Sequence, residues 1–233
     1  MISSWLADQE EGAVATQTKP RIVPLSDGPL YFVNSDKGRP IPGLVDTVGR
    51  PIAAVGVSLC RCGKSKGKPF CDGSHVAAGF SGSNSETSLV RNKRKNYVGK
   101  KITVHDNRRM CSHSAECIRS LESVFDVTQR PWINADGANI DEIARVVKRC
   151  PSGALSYSVD GVEFRDQIDR EPQIMVSKNG PYYVTGWIDL EGVSNWAEEA
   201  SKEHYALCRC GASENKPFCD GNHLRIKFDD GSP

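Results

Sequence analysis

Along the chain, short runs of apolar and β-branched residues are punctuated by Gly, Pro, Asn and Asp, and two of these runs repeat. "DGPLYFV" from Asp27 and "NGPYYVTGW" from Asn179 each read as a turn followed by a short aromatic and β-branched strand. Between them the period changes. "KKITVH" from Lys100 and "GALSYSV" from Gly153 predict strands, and "ECIRSLESVF" from Glu116 predicts a short helix. "NIDEIARVVKRC" from Asn139 predicts a helix with Asn139 as cap and Ile140, Ile143, Val146 and Val147 on one face. The polar stretch "SGSNSETS", 81–88, reads as a linker. The pattern is that of an α+β chain: an N-terminal tail over 1–20, one copy of a module over 21–85, a different segment over 93–160 and a second copy over 168–233.

The repeats also share their chemistry. "LCRCGKSKGKPFCDGSH" runs from Leu59 to His75 and "LCRCGASENKPFCDGNH" from Leu207 to His223. Cys60, Cys62, Cys71 and His75 are thus answered at identical spacing by Cys208, Cys210, Cys219 and His223. The chain has nine cysteines, an odd number that argues against a closed disulfide framework. The remaining three, Cys111, Cys117 and Cys150, fall together in the middle segment at the ends of its expected elements. Three thiolates and an imidazole suit either zinc or an iron–sulfur cluster. The single residue between Cys60 and Cys62 is tighter than the two to four usual in structural zinc sites, which favours a cluster. Asp72 and Asp220 follow the third cysteine and read as helix caps rather than catalytic acids. Gly63, Gly73, Gly211 and Gly221 permit turns close to the ligands.

Composition narrows the class. The chain has 233 residues, a 38% hydrophobic share, mean hydropathy of −0.44 and a net charge of +1, ordinary values for soluble protein and a poor basis for bulk capture of nucleic acid or membrane. No apolar run approaches the roughly 20 residues of a membrane span, and the acidic start "MISSWLADQEEGAVATQTKP" lacks a leader core, so a cytoplasmic location is expected. The run "RNKRKNYVGKK", 91–101, carries six basic residues and is expected to be a solvated linker and strand edge. His105 and His204 have no motif around them and are expected on the surface.

The string C-x-C-x8-C-D-G-S-H, with "KPFCDG" in both copies, resembles the CDGSH iron–sulfur (mitoNEET-like) family. That resemblance implies one [2Fe-2S] cluster on Cys60, Cys62, Cys71 and His75 and a second on Cys208, Cys210, Cys219 and His223. It also implies two small β-rich modules that exchange strands, here as an intramolecular pseudo-dimer within a monomer. The second copy departs from the motif at Asn222, where the first has Ser74. "CSHSAEC", "RPWI" and "CPSGAL" resemble the divergent mono-cluster 4Fe-4S ferredoxin domain. This implies an α+β ferredoxin-like insert with a third site on Cys111, Cys117 and Cys150. Ser114 stands where a further cysteine is usual, so the three cysteines match a [3Fe-4S] cluster, or a [4Fe-4S] cluster whose fourth iron takes His113, Ser114 or water; a fold that has lost its cluster stays open. The function expected is one-electron transfer between redox partner proteins. The alternatives are cluster storage, transfer to apo-proteins or redox sensing, and then a zinc-stapled interaction module. No catalytic pair or cofactor fingerprint suggests an enzyme.

Overall fold

The computed structural model describes residues 19–33, 43–53, 58–84 and 93–231. The tail up to residue 18, the end of the linker and Arg91 lie outside the described residues. Four short strands come from the first repeat: β1 (Arg21–Pro24), β2 (Leu30–Val33), β3 (Leu44–Val45) and β4 (Ser58–Leu59), followed by the one-turn helix α1 (Ser74–Ala77). The second repeat supplies β9 (Gln173–Val176), β10 (Tyr182–Thr185), β11 (Asp189–Leu190), β12 (Tyr205–Leu207) and α4 (Asn222–Arg225). In each, the expected "GP" strand is the second arm of a hairpin. Asp27 and Asn179 hold its turn at φ 45° and 53°, a left-handed conformation that Asp and Asn tolerate well.

The sheets are not confined to their own repeats. One has the order β11-β1-β2-β4 and the other β12-β10-β9-β3. Thus β11 of the second repeat lies parallel to β1, with Arg21 opposite Asp189, and β3 of the first lies parallel to β9, with Leu44 opposite Ile174. A two-residue strand buries little alone, but here it extends a neighbour's sheet and adds its side chains to a common core. Ile22, Leu30, Phe32 and Leu59 of one repeat pack in a single cluster with Ile174, Tyr182, Tyr205, Leu207 and Phe218 of the other. Each half is too small for a comfortable core, and pooling apolar area answers that shortage.

The middle segment builds an antiparallel sheet of its own, in the order β5 (Lys95–Val98), β6 (Thr103–Asp106), β7 (Leu155–Val159) and β8 (Val162–Phe164). Between β6 and β7 run a short 3-10 turn over Arg108–Met110, α2 (Glu116–Ser120) and α3 (Ile140–Lys148). Asn139 caps α3 in a reciprocal box, accepting from the Glu142 N–H at 3.0 Å while Glu142 accepts from the Asn139 N–H at 3.2 Å. Its Ile143, Val146 and Val147 are buried against Val104, Leu155 and Tyr157. The helix expected over 116–125 stops at Ser120. Beyond it Phe125 turns into the core and bridges to Ile133, a competing pairing that ends the helical run.

Two expectations fail. His105 and His204 are buried, at 5% and 2% exposure, not on the surface. His105 lies on the inner strand β6 between Asn96 and Ser158, whose oxygens stand 2.8 and 2.6 Å from its ring nitrogens. His204 joins a buried network with Ser201 and Glu203, 3.0 and 2.8 Å from its Nδ1. Both rings are satisfied in the interior, His105 by side chains of the neighbouring strands β5 and β7 and His204 by residues one and three positions before it in its own loop. In the basic run, Lys95–Val98 forms the edge strand β5, but Arg94 is ion-paired to Glu163 at 2.9 Å and Glu199 at 2.7 Å.

Candidate metal centres

Each ligand loop leaves its last strand at the first cysteine and returns through a Pro-Phe corner. The Cys60 N–H donates to the Pro69 carbonyl and the Cys208 N–H to the Pro217 carbonyl, both at 2.8 Å, so the two loops close alike. Between the first two cysteines stands a buried arginine whose role spacing alone did not disclose. Arg61 Nε donates to the Gly28 carbonyl at 2.6 Å and Arg209 Nε to the Gly180 carbonyl at 2.9 Å, clamping each loop to the hairpin turn of its own repeat. Arg209 also pairs with Asp230, both about 1% exposed. The signal was present in the sequence, since both copies read C-R-C.

Within each loop the candidate ligands come together as two pairs. Cys60 Sγ lies 3.6 Å from Cys62 Sγ, and Cys71 Sγ lies 3.4 Å from His75 Nδ1. The second set repeats this at 3.8 Å for Cys208 and Cys210 and 3.5 Å for Cys219 and His223. Bonds of about 2.3 Å to sulfur and about 2.0 Å to nitrogen at a tetrahedral metal place two sulfurs roughly 3.8 Å apart and a sulfur and nitrogen roughly 3.5 Å apart. The pairs therefore fit two ligands on one metal. Among the described residues, no three Cys, His, Asp or Glu side chains converge on a point that would hold a single ion. Backbone amides face the sulfurs as well, Lys64 N–H to Cys62 at 3.4 Å and Gly73 and Gly221 N–H to Cys71 and Cys219 at 3.5 Å.

The aspartates tie the loops rather than cap in the strict sense. Glycines Gly73 and Gly221 occupy the cap positions, at φ 85° and 87°. Asp72 accepts from the Ser74 and Lys66 N–H groups at 3.0 and 2.8 Å, and Asp220 from Asn222 and Glu214 at the same distances. Asp72, hydrogen-bonded by Ser74 and Lys66, stays ionised well below the usual carboxylate range.

The two loops meet. Cys62 and Cys210 form an antiparallel β-bridge, and a β-carbon on Gly63 or Gly211 would stand 2.5 Å from the opposite cysteine's carbonyl oxygen. Tyr182 of the second repeat reaches across to donate to the Cys60 carbonyl at 2.8 Å.

Cys111, Cys117 and Cys150 line one cavity in the middle segment, together with Ser114, Trp132 and Leu155. Cys111 and Cys150 pack against the core shared by the repeats, while Cys117 and Cys150 pack against the middle segment's own core, so this site lies at the seam. His113 does not line the cavity; its ring lies over Gly221, with Cγ 2.7 Å from where a β-carbon would stand. Burial, with Cys150 nearby, pushes the Cys111 thiol up to about 12 and the Cys117 thiol up to about 11. Burial likewise raises Cys62 and Cys219. Clustered thiols that resist ionisation become thiolates when a metal supplies the compensating charge. On spacing, burial and donor chemistry the three sets fit soft metal centres.

Comparison with known proteins agrees. The model described as "Iron-binding zinc finger CDGSH type" matches residues 20–76 and 179–224, and that described as "Divergent 4Fe-4S mono-cluster" matches 97–160. These domains define an iron–sulfur-binding class of protein. The chain belongs to the CDGSH iron-binding family, with two copies of that domain and a divergent 4Fe-4S mono-cluster domain between them. It is 39% identical over 61 residues to "Uncharacterized protein YjdI" of Escherichia coli strain K12, covering 26% of this chain and 80% of the relative; the counterpart in strain O157:H7 matches equally. No solved structure matches the chain.

Proposed function

We propose that the protein is a one-electron carrier holding two [2Fe-2S] clusters, on Cys60, Cys62, Cys71 and His75 and on Cys208, Cys210, Cys219 and His223, and a third cluster on Cys111, Cys117 and Cys150. The observation that carries this reading is the pairing of ligands at tetrahedral-edge distances. Two pairs suit a two-metal centre with two protein ligands on each metal; a zinc staple would gather all four on one point. Clusters bound there would supply one-electron exchange with little rearrangement. The chain's own part is to hold the ligands still. Arg61 and Arg209 anchor the loops, the backbone amides offer hydrogen bonds to sulfur, and the strand exchange works as an internal pseudo-dimer that brings the two loops into contact at Cys62 and Cys210. In the middle site Ser114 lines the cysteine cavity, which supports it over His113 as the side chain that would complete a fourth iron's ligation. Redox proteins are the partners this reading requires.

An anaerobically purified sample analysed for iron, sulfide and zinc tests the proposal. About four iron and four sulfide per chain are expected from the outer centres, and more where the middle site is filled, with an electron paramagnetic resonance signal that appears on reduction by dithionite. Zinc without sulfide would overturn it. Storage and transfer to apo-proteins is a second reading, favoured by the half-buried Cys71 and His75 of the first loop.

A further inference from the structure

The two CDGSH loops share their ligands but not their surroundings. Cys71 and His75 are half-buried and Gly73 is exposed, whereas Cys219, His223 and Gly221 are buried, with Cys219 and His223 at 3% and 7% exposure. Nothing lies within 4 Å of a β-carbon built on Gly73, while one on Gly221 meets the His113 ring. The cover comes from the middle segment. Arg109 Nε donates to Asn215 Oδ1 at 3.0 Å, Asn215 Nδ2 donates to the Arg109 carbonyl at 3.1 Å, and the Ser112 and Tyr183 hydroxyls stand 3.4 Å apart.

The sequence differences between the loops fall where this asymmetry needs them. Asn215, which docks on Arg109, is matched in the first loop by Gly67, where a β-carbon would meet nothing within 4 Å. Ala212 and Glu214 are matched by Lys64 and Lys66, both exposed. The first loop is open and basic, and beside it Val76 is 77% exposed. The second loop carries neither lysine and its Cys219–His223 edge is covered.

We propose that the first CDGSH loop is the face on which an acidic protein partner docks for exchange with the protein, and that the second is an internal centre shielded by His113. The proposal rests on cluster binding by both loops, as proposed above. Lys64 and Lys66 provide the charge complement and the open Cys71–His75 edge the access. His113 is a shielding residue and not a ligand.

The test is iron extraction from the loaded full-length protein by an anionic chelator, ethylenediaminetetraacetate, followed by loss of cluster absorbance at low and high salt. C219S and C71S isolate the first and the second loop in turn. Extraction from the first is expected to be at least tenfold faster, and K64A/K66E, which installs the second loop's residues, should slow it at low salt but not at high salt. H113G should speed extraction from the second loop; the wild-type φ of 58° is one that glycine adopts freely, so this change preserves the backbone. Equal rates from the two loops, a slow loop unmoved by H113G, or a fast loop indifferent to salt and to K64A/K66E would each overturn the inference while leaving cluster binding intact. Absence of iron and sulfide would overturn both.

Discussion

At the scale of single residues, the most consequential side chains outside the ligand sets are buried charges that tie the parts together. Glu203 is fully buried and accepts from Arg170 Nε at 2.9 Å and the Gly186 N–H at 3.1 Å, beside His204. Burial alone would push its carboxyl up, but the hydrogen bonds from His204, Arg170 and Gly186 outweigh it and bring it down to about 2. A carboxyl depressed on folding stabilises above its unfolded value, near 4.5, and that contribution is lost as pH falls toward 2. The wild type should therefore lose on the order of 3 kcal/mol across that interval from this group, read as the pH dependence of urea unfolding. Glu203→Gln should be less stable at pH 7 and flatter in acid. An unchanged acid slope would show that the network does not control it.

At the scale of elements, two local devices are open to direct measurement. The Asn139–Glu142 capping box starts α3, so Asn139→Ala should cost about 1 kcal/mol in chemical unfolding without touching any candidate ligand. Gly63 combines φ 77° with a close backbone approach to Cys210, so Gly63→Ala forces both a left-handed alanine and a clash across the loop contact. A loss of about 1–3 kcal/mol is expected. Because the clash falls on the opposite loop, the absorbance of both outer centres should change. A change confined to the first would show that the Cys62–Cys210 bridge does not transmit it.

At the scale of the whole molecule, the candidate ligands of each CDGSH centre come from one repeat although the sheets and the core are shared. Cys71→Ser and Cys219→Ser should each remove their own centre only, leaving about half of the outer-centre absorbance. Complete loss from either single change would mean that the contact between the loops governs assembly as well as position.

The candidate sites were legible in the sequence because metal ligation needs particular donor types at fixed short spacing, and both loops carry Cys60, Cys62, Cys71 and His75 or their equivalents within seventeen residues. The capping box of α3 and the hairpin turns at Asp27 and Asn179 were equally local, set by hydrogen bonds a few residues apart. Other features depended on residues far apart in the chain. The parallel pairing of β3 with β9 and of β11 with β1 joins two-residue strands too short to carry a period. The buried place of His105 came from partners on other strands, Asn96 of β5 and Ser158 of β7. The covering of Gly221 by His113, which makes two nearly identical loops unequal, exists only once the middle segment packs on the second repeat. Spacing along a chain specifies which atoms can meet one metal, and only the folded core decides which of those sites water and partners can reach.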